Sequence, residues 1–169
     1  LSGDGYFPHM VGLAGGLCHQ WARNLFNQIP GMEKAVDYAM IEEAVGRSLP
    51  GAGGLLFLPY LRGGGAPTQN INARGAFLGL EARHGYDDMC RAIMEGVAYI
   101  LREMIEVLDQ KSHSGVKEII LIGGGAKSPA WRQIIADVMQ RPIVCTTMKQ
   151  EANTWGAAKC GGVSVGLWE

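Results

Sequence analysis

The sequence predicts an α/β fold, and three observations carry that prediction. Short apolar or β-branched runs stand at 54–58, 76–80, 119–122 and 142–146. Amphipathic stretches with helical spacing alternate with them, and glycine or proline marks most junctions. At 169 residues the chain is one ordinary domain or part of a larger one, long enough to bury a sizeable core.

Residues 1–14 are expected to be extended or looped; they contain Tyr6, Phe7 and His9 and carry no readable function. Leu17, Trp21, Leu25 and Phe26 share a face and predict a helix to about residue 28, stopped by Pro30 and Gly31. His19, Gln20 and Arg23 lie on or near it, and each taken alone reads as a solvated or core-satisfied side chain. Ala35, Val36, Tyr38, Ala39, Ile41 and Val45 predict a second helix over about 32–45. After the strand at 54–58, residues 60–75 are so rich in Gly, Pro and Asn that a long ordered loop or lid is expected. Its charges are Arg62 and Arg74; Arg74 could meet phosphate or make a structural ion pair.

Following the strand at 76–80, apolar positions from Tyr86 to Leu108 hold one face over a predicted helix at 86–111, roughly 38 Å long. Glu95, Arg102, Glu103 and Glu106 fall mostly elsewhere on its wheel. The run Ile119 to Ile122 suits a strand buried on both faces, and it stops on Gly123, Gly124 and Gly125. Ser128 is a predicted N-cap with Pro129 at the first helical position. A strand at 142–146 and a small-residue helix at 153–165 complete the chain. Gly156, Ala157, Ala158, Gly161 and Gly162 would let that helix approach a neighbour in the same chain, or a second copy in a homodimer.

The glycine corner lets a flat ligand lie against main chain, and unpaired N–H groups at the following helix start would favour an anion. A sharp strand-to-helix turn without a ligand has the same spacing. The familiar phosphate motifs do not fit. A P-loop ending at Lys127 and Ser128 needs glycine where Leu121 and Ala126 stand, and the dinucleotide fingerprint begun by Gly123 and Gly125 meets Ser128 at its third glycine.

Fifteen basic and sixteen acidic side chains give a net charge of −1, which points to neither nucleic acid nor membrane as a partner. Cys18, Cys90, Cys145 and Cys160 contain no Cys-x-x-Cys pair and read as reduced, packed thiols of a cytoplasmic protein. No apolar run nears the roughly 18 residues of a membrane span.

The stretch Gly75-Ala-Phe-Leu-Gly-Leu80, then seven residues, then Asp88-Met-Cys-Arg-Ala-Ile-Met-Glu95 resembles the second signature of the FGGY carbohydrate kinases. Leu56-Phe-Leu-Pro-Tyr60, Asn72-Ala-Arg-Gly75, Ile122-Gly-Gly-Gly-Ala-Lys-Ser128, Trp131-Arg-Gln133 and Gly156-Ala-Ala158 are similar to that family's C-terminal domain, over essentially the whole chain.

The resemblance implies two actin-like, ribonuclease H-like ATPase domains, each a β-sheet flanked by helices, closing over a sugar and ATP. Residues 1–169 would be most of the second, nucleotide-binding domain, with the first domain and the catalytic aspartate upstream of Leu1. That aspartate would take the proton of the sugar hydroxyl as it attacks the γ-phosphate, with Mg²⁺ offsetting charge. None of Asp4, Asp37, Asp87, Asp88, Asp109 or Asp137 has the family's context for it. Gly124, Gly125 and Ala126 match the family's adenosine corner, Ser128 or Pro129 would border the base, and Gly16 and Gln20 are similar to positions near the phosphates in glycerol-kinase-like members. Where many pentulose kinases carry Gly-Glu-Arg-x-Pro, this chain has Gly63-Gly64-Gly65-Ala66-Pro67. Ketoses and glycerol- or erythritol-like polyols therefore stay open as substrates. The alternative implied function is a non-catalytic nucleotide-binding or regulatory module of the actin-like superfamily.

Overall fold

A computed structural model describes residues 10–12, 14–30, 35–111, 115–145 and 152–167. Its order is α1 (Gly15–Phe26), α2 (Tyr38–Arg47), β1 (Leu56–Leu58), β2 (Ala76–Leu78), α3 (Tyr86–Lys111), β3 (Ile119–Leu121), α4 (Pro129–Met139), β4 (Ile143–Cys145) and α5 (Ala152–Ser164). The α/β class is as expected. Among the described residues the strands form two small sheets: β1 pairs antiparallel with β2, placing Phe57 opposite Phe77, and β3 pairs parallel with β4, placing Ile120 opposite Val144.

The centre is α3, which matches its predicted extent and packs against α1, α2, α4 and β1. Cys90, Ile93, Met94 and Val97 are buried along it, with Ile41 and Val45 of α2, Phe57 of β1 and Ile134 and Ile135 of α4 around them. Phe57 stacks on Trp21 at 5.9 Å and tilts against Phe77 at 4.8 Å. Gly96 lets α3 cross β1: a Cβ there would fall inside the Phe57 carbonyl oxygen.

Several expectations change. The second helix begins at Tyr38, because Asp37 is extended and its carboxylate accepts the Met40 N–H at 2.9 Å as an N-cap. Val36, expected inside that helix, is buried ahead of it, outside any regular element. The Asn27 side-chain amide accepts its N–H at 2.7 Å and donates to its carbonyl at 2.9 Å. Gly31, residues 32–34 of the predicted helix, residues 1–9 and 13 of the opening, and Thr146 lie outside the described residues.

Glu95 is not on a solvated face but 5% exposed. Its carboxylate takes the Arg91 guanidinium at 2.7 Å and the Gly51 N–H at 2.9 Å, while Arg91 also donates to the carbonyls of Val45 and Ser48. This buried pair ties α3 to the end of α2. The strand at 119–122 is not buried on both faces: Ile119 and Leu121 are half-buried against the core, while Ile120 and Ile122 are exposed. Arg74 makes no ion pair among the described residues; it donates to the carbonyls of Ile71 and Ala73 and closes its own loop. Of the four cysteines, Cys18 and Cys90 are packed thiols, but Cys145 is half-buried and Cys160 exposed. In the small-residue α5 a Cβ at Gly156 or Gly161 would meet nothing within 4 Å among the described residues, whereas Gly162 is buried. No helix among the described residues is long and apolar enough to cross a membrane.

Candidate functional site

The glycine corner is a short 3-10 turn, Gly124–Lys127, between β3 and α4. Gly123 enters it at φ 89°, ψ −171°, a conformation essentially reserved for glycine. The turn closes with the Ala126 N–H on the Gly123 carbonyl and the Ser128 N–H on that of Gly125. Ser128 then caps α4, its hydroxyl accepting the Trp131 N–H at 3.0 Å, and Pro129 opens the helix as the sequence predicts.

Beside this turn lies a cleft of about 490 Å³ between α1, α2 and the start of α4, within the usual range for a small-molecule site. It is lined by Gly16 and His19 from α1, Tyr38, Ala39 and Glu42 from α2, and Gly124, Gly125, Lys127, Ser128 and Trp131. Four of the residues singled out in the sequence, Gly16, Gly124, Gly125 and Ser128, thus meet across more than a hundred positions. Ala126 is fully buried beneath the turn, and Pro129 sits at the helix start beside the lining. Gln20 faces elsewhere, into an open depression with Trp21, Asn24 and Arg62.

The adjacent glycines differ in what surrounds them. A Cβ on Gly125 would lie 2.9 Å from the Trp131 ring, so Gly125 is required by the chain's own packing. A Cβ on Gly124 would meet nothing within 4 Å among the described residues, which leaves its main chain open on that side.

The start of α4 does not offer free N–H groups to an anion, contrary to the sequence expectation. Pro129 has none, Ala130 donates to Glu42 at 2.7 Å, Trp131 to the Ser128 hydroxyl and Arg132 to the Ser128 carbonyl. The Glu42 carboxylate places negative charge on the helix's positive end. A flat, uncharged group fits this wall better than a phosphate.

The side chains that sequence reasoning passed over are aromatic. His19 packs against Tyr38 at 4.8 Å and edge-on to Trp131 at 5.4 Å, and Arg23 stands over the Tyr38 ring at 4.7 Å. Burial holds the His19 imidazole below the ordinary histidine value, opposed by Glu42 and reinforced by Arg23, so it is neutral at pH 7. Its contribution to stability is therefore complete above pH 6.5, the ordinary value, and declines as pH falls through the folded-state value. His19 Nε2 and Trp131 Nε1 are buried and have no hydrogen-bond partner among the described residues. Such orphaned polar atoms beside a cleft fit a ligand with donors and acceptors on its edge. No cluster of three His, Cys, Asp or Glu side chains suited to a metal occurs among the described residues.

The fold places the chain with the carbohydrate kinases of actin-like architecture, as comparison with known proteins shows. The structure superposes on that of a ligand-bound xylulose kinase from Lactobacillus acidophilus with a TM-score of 0.80 and 29% identity, covering 95% of this chain and 31% of the other. Residues 2–165 match the C-terminal domain of the FGGY family of carbohydrate kinases, and the chain belongs to that family. It is 33% identical over 166 residues to a xylulose kinase of Staphylococcus epidermidis and 32% identical over 154 residues to a glycerol kinase of Trichormus variabilis. Those alignments take in 98% and 91% of this chain but 32% and 29% of the relatives, so the chain spans about a third of their length.

Proposed function

We propose that this chain is the nucleotide-binding part of an ATP-dependent carbohydrate kinase that phosphorylates a hydroxyl of a small sugar or polyol. The observation that supports it most directly is the cleft at the glycine corner, where Gly124 offers unobstructed main chain opposite an aromatic wall. In this reading the adenosine lies between Gly124 and the His19, Tyr38 and Trp131 rings. Lys127, on the rim, is the nearest lining cation for phosphate charge. ATP supplies the γ-phosphoryl group: the substrate oxygen bonds to the γ-phosphorus, the bond to the bridging oxygen breaks, and ADP leaves.

The base that takes the hydroxyl proton is assigned to the rest of the kinase, because the described aspartates are engaged elsewhere. Asp37 caps α2, Asp87 pairs with Arg47, Asp88 with Ser48, Asp109 with Arg141 and Asp137 with Gln133. Asp4 lies outside the described residues. Mg²⁺ would come with the nucleotide, and no protein ligand is assigned to it. The substrate stays at the level of ketose or polyol, consistent with relatives named for xylulose and for glycerol.

Calorimetry with a non-hydrolysable ATP analogue tests the site. The substitution to use is Gly124→Leu, since Gly125→Val would drive a side chain into Trp131 and confuse misfolding with lost binding. Saturable binding by the unaltered chain, weakened about tenfold or more by Gly124→Leu at unchanged thermal stability, is the expected result. Absence of binding by the folded chain, or equal binding by the variant, overturns it.

A further inference from the structure

The cleft's aromatic wall contains a polar group that packing alone does not account for. His19 contributes a ring to the cluster with Tyr38 and Trp131, yet its Nε2 is buried without a partner. A histidine placed for packing usually satisfies its buried nitrogen with a backbone carbonyl or a carboxylate. Glu42, which lines the same cleft, accepts the Ala130 N–H.

We infer that His19 reads the edge of the base bound in this cleft, exchanging a hydrogen bond from Nε2 with a ring nitrogen or exocyclic group, and so sets which nucleobase the chain accepts. This rests on the nucleotide reading proposed above and adds to it the residue that discriminates. The geometry points to a base rather than a sugar or phosphate at this end. The wall is a cluster of rings, and the α4 start is already neutralised by Glu42. A planar heteroaromatic ligand satisfies both the apolar faces and the orphaned nitrogen, whereas an anion would meet a carboxylate.

Charge on the imidazole would alter this recognition. The groups around it are Arg23 on α1, Tyr38 and Glu42 on α2, Lys127 on the turn and the uncharged Trp131 on α4. Burial keeps the ring neutral, so one nitrogen accepts and the other donates; protonation would remove the acceptor. Recognition is thus strongest at neutral pH and weakens in acid.

The test uses adenosine and inosine, which share a ribose, differ at the six-position and carry no phosphate to titrate. Calorimetry on this chain should show adenosine and inosine binding with affinities that differ at least tenfold. His19→Leu should reduce the tighter affinity about tenfold, collapse the preference and remove the decline in acid. His19→Gln, which retains a polar group at similar reach, should recover part of the preference. Nitrogen chemical shifts of the His19 ring in the unaltered chain give a second readout independent of any variant's folding: Nε2 should move on adding adenosine. If adenosine binds while Nε2 does not move, or if His19→Leu keeps the same affinity and preference, His19 is a packing residue and this inference fails while the nucleotide reading stands. If neither nucleosides nor the ATP analogue bind the folded chain, the nucleotide reading itself fails.

Discussion

Where α3 crosses β1 and meets the end of α2 the chain is tightly packed, whereas from β3 to α5 it leaves main chain and apolar side chains facing outward. In the first region Gly96 is pressed against Phe57 and Glu95 is sealed with Arg91. In the second, Ile120, Ile122, Trp155 and Val163 are exposed and Gly124 has open space before it. The contrast separates what identifies the family from what would contact a ligand under the proposed reading. Asp88 and Glu95 stand in the signature-like stretch, yet Asp88 accepts the Ser48 hydroxyl and the Gly85 N–H, and Glu95 holds Arg91 and Gly51. These are seams between helices, and neither residue lines the cleft.

The contrast can be broken by substitution, and the largest effect belongs to Gly96→Ala. The added methyl cannot be accommodated without moving β1 away from α3, so the chain should fail to fold or lose about 3 kcal/mol or more in urea unfolding. A variant of normal stability would show that the seam is loose. Next comes Glu95→Ala, which strands a buried guanidinium and an unpaired Gly51 N–H; a loss of about 3 kcal/mol is expected. Little change on denaturation would mean Arg91 finds water instead.

Effects should shrink on crossing to the glycine corner. Ser128→Ala removes the cap of α4 at a cost of about 1 kcal/mol, read as a fall of about 2–4 °C in the unfolding midpoint. Smallest of all in stability is Gly124→Ala, expected within about 0.5 kcal/mol of the unaltered chain because its Cβ points into space. If Gly124→Ala proved as damaging as Gly96→Ala, the corner would be a packed turn and its openness to a ligand would be refuted.

Much of the fold was legible because its signals are local. The α3 stripe from Tyr86 to Leu108, the Ser128 and Pro129 helix start and the glycine stop after β3 follow from spacing and backbone freedom over a few residues. The start of α2 was missed although Asp37 is a sound cap, because apolar Val36 continued the helical pattern; the Asn27 amide, nine residues earlier, takes both backbone groups of Val36 and keeps it out of the helix. The cleft was half legible: glycines advertise an open main chain, but a histidine, a tyrosine and a tryptophan at 19, 38 and 131 give no pattern in one dimension.

By itself, then, the sequence determined the central helix and the cap of α4, which depend on neighbours within a turn or two, and the α/β class and the likeness to the FGGY kinases, which depend on the order of residues along the chain. Only the tertiary structure decided that Glu95 is buried, that Glu42 closes the α4 start to anions, that Gly125 is claimed by Trp131 while Gly124 is free, and that His19 faces the cleft. Each of these depends on which side chain arrives from a distant part of the chain. Burial and pairing are properties of the contact made, not of the residue making it.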